Sequence, residues 1–308
     1  MDKIMRYKGS LIGLAVGDCM GVPAEFKRPG TFEPIQELRG GGVFDLKIGE
    51  YTDDTAMALC LAESLLECNG FDAEDQMKRY VRWYREGYLS SNGTCFDIGN
   101  ATCEALETFE QTGDPFSGST DPYSAGNGSI MRLAPVPLFY DGDMKKAIHL
   151  SVESSRTTHA APEVLDACRY FSGLILGALQ EENKETLLSP LYTPVKGTWE
   201  SFPLSERLFE VANGSFKEKQ PPDIQGSGYV VKSIEAALWA FYHSNSFTEG
   251  LLKAVNLGDD ADTTGAIYGQ LAGAYYGIEE VPEEWSQHVV NHEYILKLGE
   301  DLYQKSLL

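Results

Sequence analysis

Apolar residues recur with helical periodicity along almost the whole chain, and this pattern is the strongest constraint on its fold. Clear period-two runs, which would indicate half-buried strands, are scarce. The least helical long stretch is 189–201, which contains Pro190, Pro194 and Gly197. The pattern therefore predicts an all-α protein. The predicted helices cover 7–16, 55–68, 72–86, 98–110, 143–154, 160–181, 203–212, 228–243, 246–255, 262–276 and 283–304.

The first predicted helix carries a stripe of small residues. Gly9, Gly13 and Gly17 recur at every fourth position, so they share one helix face. A face without side chains permits the close approach of another helix. The chain shows no fixed repeat, no low-complexity tail and no segment typical of an interdomain linker. We therefore expect one compact domain over residues 1–308, with functional loops at the helix ends.

Two short acidic clusters each precede an apolar, helix-like run. They are Thr52-Asp53-Asp54-Thr55 and Asp259-Asp260-Ala261-Asp262-Thr263-Thr264. One Asp or Thr is enough to cap a helix N-terminus. Several carboxylates at one helix entrance repel each other, and burying them is costly unless a cation compensates their charge. Neither cluster contains Lys, Arg or His, so a bound hard cation is the economical explanation.

All candidate donors in these clusters are oxygen atoms. Oxygen-only ligation suits Mg²⁺, Mn²⁺ or Ca²⁺ rather than structural zinc. Carboxylates from two clusters can hold two cations about 3.5–4 Å apart, and the spacing does not match an EF-hand loop. Glu25 is a third acid that could complete such a site. Spacing alone leaves open the alternative that both clusters are solvated helix N-caps.

The composition restricts the partners and the compartment. The net charge is −21, from 25 basic and 46 acidic residues, which argues against general binding to nucleic acid or anionic membrane. No apolar stretch reaches about 18 residues, and no signal-peptide pattern follows the first residues. The six cysteines form no C-x-x-C pair. We therefore expect a cytoplasmic protein with reduced thiols, no nucleic-acid partner and no membrane insertion.

Ordered motifs along the chain match those of a known family. They are Gly13-Leu14-Ala15-Val16-Gly17-Asp18 with Gly21-Val22-Pro23-Ala24-Glu25, Tyr51-Thr52-Asp53-Asp54-Thr55, Asp97-Ile98-Gly99-Asn100-Ala101-Thr102, Gly126-Asn127-Gly128-Ser129-Ile130-Met131-Arg132, Thr158-His159, Gly228-Tyr229-Val230 and Gly258-Asp259-Asp260-Ala261-Asp262-Thr263-Thr264. With these motifs the chain resembles the ADP-ribosylglycohydrolase family, which includes dinitrogenase reductase-activating glycohydrolases and the ADP-ribosylarginine and ADP-ribosylserine hydrolases. The joint pattern is far more specific than any one motif.

The resemblance implies a compact all-α fold with a binuclear Mg²⁺ or Mn²⁺ centre at helix termini. It also implies roles for individual residues, which fall into three groups. Those that resemble metal ligands are Thr52, Asp53, Asp54, Asp260, Asp262 and Thr263. Those that resemble catalytic acids or bases are Asp54, Asp97 and Glu25, in an order that the resemblance leaves open. Those that resemble ADP-ribose contacts are Asp97, Gly126, Asn127, Gly128, Ser129, Met131, His159 and Tyr229.

Each of the motifs between the clusters also has a structural interpretation. The 126–128 segment can be an ordinary turn, because Asn and Gly both tolerate positive φ. Arg132 can pin a loop or pair with a buried acid, and Tyr229 can belong to the core. His159 and Asp97 can each cap the helix that follows. Only the joint pattern favours function over these alternatives.

The resemblance implies hydrolysis of the glycosidic bond between ADP-ribose and a protein side chain. We expect an arginine linkage, since the motifs and the length are closer to arginine-type and dinitrogenase-type members. The alternatives are serine-linked or small-molecule ADP-ribose conjugates. Two further alternatives are a non-catalytic ADP-ribose-binding or structural member and a metal-dependent phosphohydrolase. The chain retains every acidic residue that the resemblance assigns as a metal ligand, which argues against a purely structural role.

Overall fold

The computed structural model describes residues 2–307, and these residues form an all-α architecture. Fifteen α-helices follow one another in the described chain, with short 3-10 turns between some of them. They are α1 (Lys3–Gly21), α2 (Asp53–Glu67), α3 (Ala73–Glu86), α4 (Asn100–Thr112), α5 (Pro135–Phe139), α6 (Met144–Arg156), α7 (Pro162–Leu179), α8 (Lys184–Leu187), α9 (Thr198–Ser201), α10 (Glu206–Ala212), α11 (Val230–Tyr242), α12 (Phe247–Val255), α13 (Ala261–Tyr276), α14 (Glu283–Ser286) and α15 (His292–Ser306). Extended pairing within residues 2–307 is limited to isolated bridges. The all-α prediction is confirmed.

The prediction of one continuous helix over 283–304 is wrong. The chain forms the short α14 and the longer α15 there, because Asn291 adopts a left-handed backbone with φ 61° between them. Apolar spacing alone does not reveal such a break, since Asn tolerates the left-handed region. Two short helices, α5 and α8, were also missed, and α9 lies within the stretch that reads as least helical. Helices of four or five residues are too short for a periodic pattern.

Two helices that are buried on most faces, α1 and α13, form the centre of the fold. They run antiparallel, and the glycine stripe of α1 meets a second stripe on α13, so that Gly13 faces Gly269 and Gly17 faces Gly265. A Cβ added at Gly13 would overlap the carbonyl oxygen of Gly269. The predicted close approach of a second helix to this stripe is therefore confirmed.

The remaining long helices surround this central pair. Helix α13 also packs against α7, α11 and α12, while α1 packs against α15 and α2. The buried apolar side chains form one main cluster that extends through all of these helices. Within residues 2–307, none of the helices combines the length and apolar character needed to cross a bilayer. The packing of this pair places the C-terminal end of α1 beside the N-terminal end of α13, and both of these ends belong to the candidate site.

Candidate active site

The two acidic clusters meet where the C-terminal end of α1 reaches the N-terminal ends of α2 and α13. Thr52 Oγ1 lies 3.5 Å from Asp262 Oδ2, and Thr263 Oγ1 lies 3.3 Å from Asp54 Oδ1. At this end of the glycine interface, Gly21 packs directly on the backbone of Asp262. The structure therefore brings together two segments that are far apart in sequence. Both helix N-termini also place the positive ends of their dipoles at the carboxylates.

Asp18 organises the entrance of α2 from the neighbouring helix. Its fully buried carboxylate accepts hydrogen bonds from the backbone N–H of Thr52 at 3.0 Å, from the backbone N–H of Thr55 at 3.1 Å and from the Thr55 hydroxyl at 2.6 Å. Asp18 thus takes the capping role, so Asp53 and Asp54 are not needed as caps, and Asp53 lines the cavity. Sequence inspection missed this role, although Gly17-Asp18 stands at the end of the glycine stripe.

The alternative that both clusters are solvated N-caps is wrong. Thr52 and Asp260 occupy the N-cap positions of α2 and α13, but neither side chain makes a capping hydrogen bond. Asp54 and Asp262 are almost fully buried, at 0% and 2% exposed. A buried carboxylate that does not cap a helix N-terminus needs another group to compensate its negative charge.

Three buried carboxylate oxygens have no hydrogen-bond partner within residues 2–307: Glu25 Oε2, Asp54 Oδ2 and Asp262 Oδ1. Glu25, Asp97 and Asp262 each offer an oxygen within 4.8 Å of the others. The cavity lining in this described part contains no Lys or Arg. Buried anionic oxygens without donors are costly, and a hard divalent cation provides what these atoms lack. The donor set therefore fits a cation site made entirely of oxygen.

Burial raises the pKa of the acids in this group, and their mutual repulsion adds to the effect. The pKa of Glu25 rises to about 9 through burial and then through the charges of Asp97 and Asp260. The pKa of Asp97 rises to about 7, with burial again the largest cause. Asp54 and Asp262 have pKa values well above the usual range because they are buried beside other carboxylates. Without cations, the group holds protons instead.

The carboxylates line a cavity of about 590 Å³. We call one part of its lining the acidic wall, which consists of Glu25, Asp53, Asp97, Asp260, Asp262 and Thr263. We call another part the neutral wall, which consists of Gly126, Asn127, Gly128, Met131 and His159. Thr52 and Asp54 lie beneath the acidic wall as buried residues. Most of the residues singled out from the sequence thus surround one space.

The 126–128 segment is not a free turn, because hydrogen bonds to neighbouring segments hold it at the wall of the cavity. Gly126 forms an isolated bridge with Tyr229, and the backbone N–H of Asn127 donates to the carbonyl of Gly228 at 3.0 Å. The Asn127 side-chain amide donates to Asp260 Oδ2 at 2.6 Å. This hydrogen bond joins the neutral wall to the acidic wall and orients the carboxylate of Asp260.

His159 lies on the neutral wall and does not cap α7, whose N-cap is Ala161. The imidazole is 3% exposed, and its Nδ1 lies 2.9 Å from the hydroxyl of Thr158. Burial and then the positive charge of Arg132 lower the pKa of His159 to about 3. The ring is therefore neutral at any working pH and does not add a cation to the site.

The other residues predicted from the resemblance occupy several environments. Asp97 precedes α4 with φ 57° and leaves the N-cap position to Gly99, so the capping interpretation of Asp97 is wrong. Ser129 does not line the cavity, and its buried hydroxyl lies 2.7 Å from that of Ser155. Tyr229 packs partly against the core and lines a neighbouring cavity of about 980 Å³. Its hydroxyl donates to Glu163 at 2.5 Å and accepts from Arg207 at 2.9 Å.

Several cavity residues were not singled out from the sequence. Phe26, Gln225 and Ser227 line the cavity of the two walls. Phe26 is held there because its backbone N–H donates to the carbonyl of Asp259 at 2.6 Å, which ties the loop of Glu25 to the second cluster. No local pattern marks these residues, because their place depends on contacts between distant loops.

Comparison with known proteins agrees with this geometry. The sequence pattern of the family described as ADP-ribosylglycohydrolase matches residues 1–307. The chain is 42% identical over 301 residues to the ADP-ribosylarginine hydrolase Tri1 of Pseudomonas putida (strain GB-1), covering 98% of this chain and 78% of that protein. It is 30% identical to the ADP-ribosyl-[dinitrogen reductase] glycohydrolase of Rhodospirillum rubrum, covering 91% of this chain and 88% of that protein.

A solved structure has the same fold. The chain superimposes with a TM-score of 0.87 on a protein described as an ADP-ribosylglycohydrolase-related protein complex, at 42% sequence identity and with 99% of each chain covered. The fold, the acidic cavity and the full-length sequence match lead to one conclusion. This chain belongs to the ADP-ribosylglycohydrolase family.

Proposed function

We propose that this protein hydrolyses the bond between ADP-ribose and the guanidine group of an ADP-ribosylated arginine. The observation that carries the proposal is the set of unpartnered buried oxygens on Glu25, Asp54 and Asp262 at the end of a cavity. The arginine linkage is supported by the relatives named as ADP-ribosylarginine hydrolases, which align with nearly the whole chain. Serine-linked and small-molecule conjugates are alternative substrates.

We infer that the acidic wall binds two divalent cations, Mg²⁺ or Mn²⁺. The residues that would hold them are Thr52, Asp53, Asp54, Asp260, Asp262 and Thr263, with Glu25 close by. When bound, such cations orient ribose hydroxyls and lower the pKa of a bound water. The hydroxyls of Thr52 and Thr263 support this assignment, because each lies within 3.5 Å of a carboxylate oxygen of the other cluster.

The two adjoining cavities give the substrate an orientation. They share Asn100, Ala101, Gly126 and Gly228, so one elongated ligand can extend across both. The reacting ribose would lie at the acidic wall, where carboxylates and cations meet its hydroxyls. The diphosphate would pass the neutral wall, which contains no carboxylate, and the adenosine would lie in the second cavity beside Tyr229. The backbone N–H groups of Gly126 and Asn127 already donate to the carbonyls of Ser124 and Gly228, so within residues 2–307 the N–H of Gly128 is the one in this segment that would suit a phosphate oxygen.

The chemistry requires one proton acceptor and a leaving group that can take a proton. A water oxygen forms the new bond to the anomeric carbon while the bond from that carbon to the guanidine nitrogen breaks. The water proton passes to a carboxylate, for which Asp54, Asp97 and Glu25 are the candidates. The bond to the cationic guanidinium of the substrate breaks with its electron pair on nitrogen, so neutral guanidine is released, and it takes up the proton that the carboxylate accepted to become guanidinium. Unlike a metal-free glycosidase, the site does not depend on a separated pair of carboxylates.

The direct test is a substrate panel. Arginine-linked, serine-linked and DNA-linked ADP-ribose are incubated with the protein in Mg²⁺, in Mn²⁺ and after exhaustive chelation, and released ADP-ribose is measured. We expect release from the arginine conjugate with a divalent cation and none after chelation. Full activity under chelation would exclude the two-cation site. Binding of ADP-ribose without release would favour a non-catalytic binder, and phosphate release without glycosidic cleavage would favour a phosphohydrolase.

A further inference from the structure

Arg132 is a buried cation without an acidic partner. It is 1% exposed, and no carboxylate in the described part of the chain lies within ion-pair distance of it. Its guanidinium lies 4.7 Å from the centre of the Tyr80 ring, and its Nε has no hydrogen-bond partner among residues 2–307. The expectation that it pairs with a buried acid is therefore wrong. A buried charge that is left this poorly compensated is costly, so its position calls for a reason.

The hydrogen bonds of Arg132 lead to the cavity through one residue. Arg132 Nη2 donates to Thr158 Oγ1 at 2.7 Å, and the same oxygen lies 2.9 Å from His159 Nδ1. A guanidinium can only donate, so the Thr158 oxygen accepts from it. The hydroxyl proton then needs an acceptor. In the described part of the chain, His159 Nδ1 is the one acceptor within reach of this fully buried hydroxyl.

The direction of these hydrogen bonds favours one tautomer of His159. If Nδ1 accepts from Thr158, a neutral ring carries its proton on Nε2. The edge of the ring with Nε2 faces the 126–128 segment: a Cβ added at Gly128 would lie 3.0 Å from Nε2, and one at Gly126 would lie 3.6 Å from it. His159 lines the cavity, and its Nε2 makes no hydrogen bond within residues 2–307. A donor at Nε2 would therefore lie at the cavity lining, beside the 126–128 segment.

We propose that Arg132 and Thr158 are positioning residues that hold His159 as the Nε2–H tautomer, so that its ring donates a hydrogen bond to an acceptor oxygen of the bound substrate. The inference rests on the proposed function for the identity of that substrate. The buried charge of Arg132 adds a positive electrostatic potential at the neutral wall. This potential favours binding of the anionic portion of a ligand at the neutral wall rather than at the acidic wall. His159 moves no proton in this role.

The tautomer is measured directly by long-range ¹⁵N–¹H NMR of the histidine-labelled full chain. The chain contains five histidines, and His159→Gln identifies the signal of interest. We expect a protonated Nε2 and an unprotonated Nδ1 that both stay unchanged between about pH 5 and 8. A protonated Nδ1, or titration of the ring in this interval, overturns the proposal. This measurement needs no substrate, so its outcome is independent of the proposed function.

Variants then separate positioning from simple stabilisation. Thr158→Val removes the hydroxyl and should move the proton toward Nδ1, while kcat/KM falls by about 10-fold, the value of one hydrogen bond to a charged group. Thr158→Ser keeps the hydroxyl and should keep the tautomer and most of the activity. The matched control is Thr157→Val, which removes a buried hydroxyl bonded to Gln76 and Ser154, without contact to His159.

The results have distinct meanings. An unchanged tautomer and an unchanged kcat/KM in Thr158→Val overturn the proposal, and so does a changed tautomer in Thr157→Val. If Thr158→Val does not fold, the tautomer of the unaltered protein and that of Thr158→Ser still decide the question. Failure of the unaltered protein to release ADP-ribose from arginine counts against the proposed function alone.

Discussion

The two walls of the cavity are built on opposite electrostatic principles. The acidic wall concentrates carboxylates that are buried, lack hydrogen-bond donors and have raised pKa values. The neutral wall contains no carboxylate, and its His159 is linked through Thr158 to the buried cation Arg132. Their one direct link is the hydrogen bond from Asn127 to Asp260. One wall is therefore suited to cations and the other to anions.

This contrast explains how a chain with a net charge of −21 can bind a substrate that carries a diphosphate. The overall negative field repels such a ligand, so local compensation has to come from the proposed cations and from donors at the cavity lining. The division also orients the substrate, because its two ends meet different environments.

The largest effect is expected from Asp260→Asn on the acidic wall. The amide keeps the shape but removes the charge and one strong cation ligand. We expect cation binding and ADP-ribose release to fall together by at least about 100-fold, since even outer-shell residues of metal sites are worth 10-fold or more. Cation affinity is measured by titration calorimetry and release by the arginine assay.

The matched control for this substitution is Asp223→Asn, which makes the same change at an exposed residue that lines neither cavity. It should leave cation affinity and turnover unchanged. If Asp260→Asn retains both properties, Asp260 is not a ligand and the assignment of the acidic wall has to be revised.

Asp18→Asn tests whether the acidic wall depends on support from α1. An amide keeps one acceptor oxygen, whereas the carboxylate serves the N–H groups of Thr52 and Thr55 and the Thr55 hydroxyl. We expect cation affinity to fall by about 10–100-fold, the usual cost of losing an outer-shell partner. Circular dichroism should show an intact helical fold. Unchanged affinity would mean that the entrance of α2 is held by packing alone.

Gly13→Ala tests the helix contact that brings the clusters together. The new methyl group would overlap the backbone of Gly269 and force α1 and α13 apart. We expect the free energy of unfolding to fall by about 2–3 kcal/mol, measured by urea denaturation, with weaker cation binding as a secondary effect.

Gly173→Ala in α7 is the control, because its Cβ would lie 3.3 Å from Pro194 Cδ and meet little else. Its effect should stay within about 1 kcal/mol. A similar loss in both variants would contradict the special role of the central pair.

The fold and the acidic wall were largely predictable, and for the same physical reason. Helical periodicity and the glycine stripe are local properties of sequence, and they predicted the all-α fold and the close approach of a second helix. Clustered carboxylates are also a local signal, because their repulsion is visible without coordinates. The break at Asn291 was missed because one left-handed residue does not disturb an apolar pattern.

The neutral wall was far less predictable. The roles of Arg132 and Thr158 depend on hydrogen bonds between the loop after α6 and the 126–132 segment, which no local spacing encodes. Asp18 was missed for a similar reason, since it caps a helix whose N-cap residue, Thr52, lies 34 residues later in the chain. Residues that act on distant backbone groups leave no periodic signature.

The smallest expected effect is the dependence of the free energy of unfolding on pH. The ionisable groups of the two walls change this free energy in opposite directions as pH rises. Folding raises the pKa of Glu25 to about 9 and that of Asp97 to about 7, so the folded protein binds more protons than the unfolded chain from about pH 4 upward. The metal-free protein should therefore lose stability as pH rises from 5 to 8. Folding lowers the pKa of His159 to about 3, so this residue acts in the opposite direction, and its contribution is lost as pH falls below about 6.5.

Thermal unfolding in chelator provides the measurement. Glu25→Gln should flatten the decline of the melting temperature between pH 5 and 8 by about 3 °C, and His159→Gln should flatten only the decline at acid pH. Added Mg²⁺ or Mn²⁺ should also flatten the alkaline decline of the unaltered protein, because bound cations compensate the carboxylates that otherwise hold protons. If divalent cations leave the alkaline decline unchanged while they support turnover, the carboxylates that hold protons in the metal-free protein are not those that bind the cations. The acidic wall would then contain two separate groups of carboxylates.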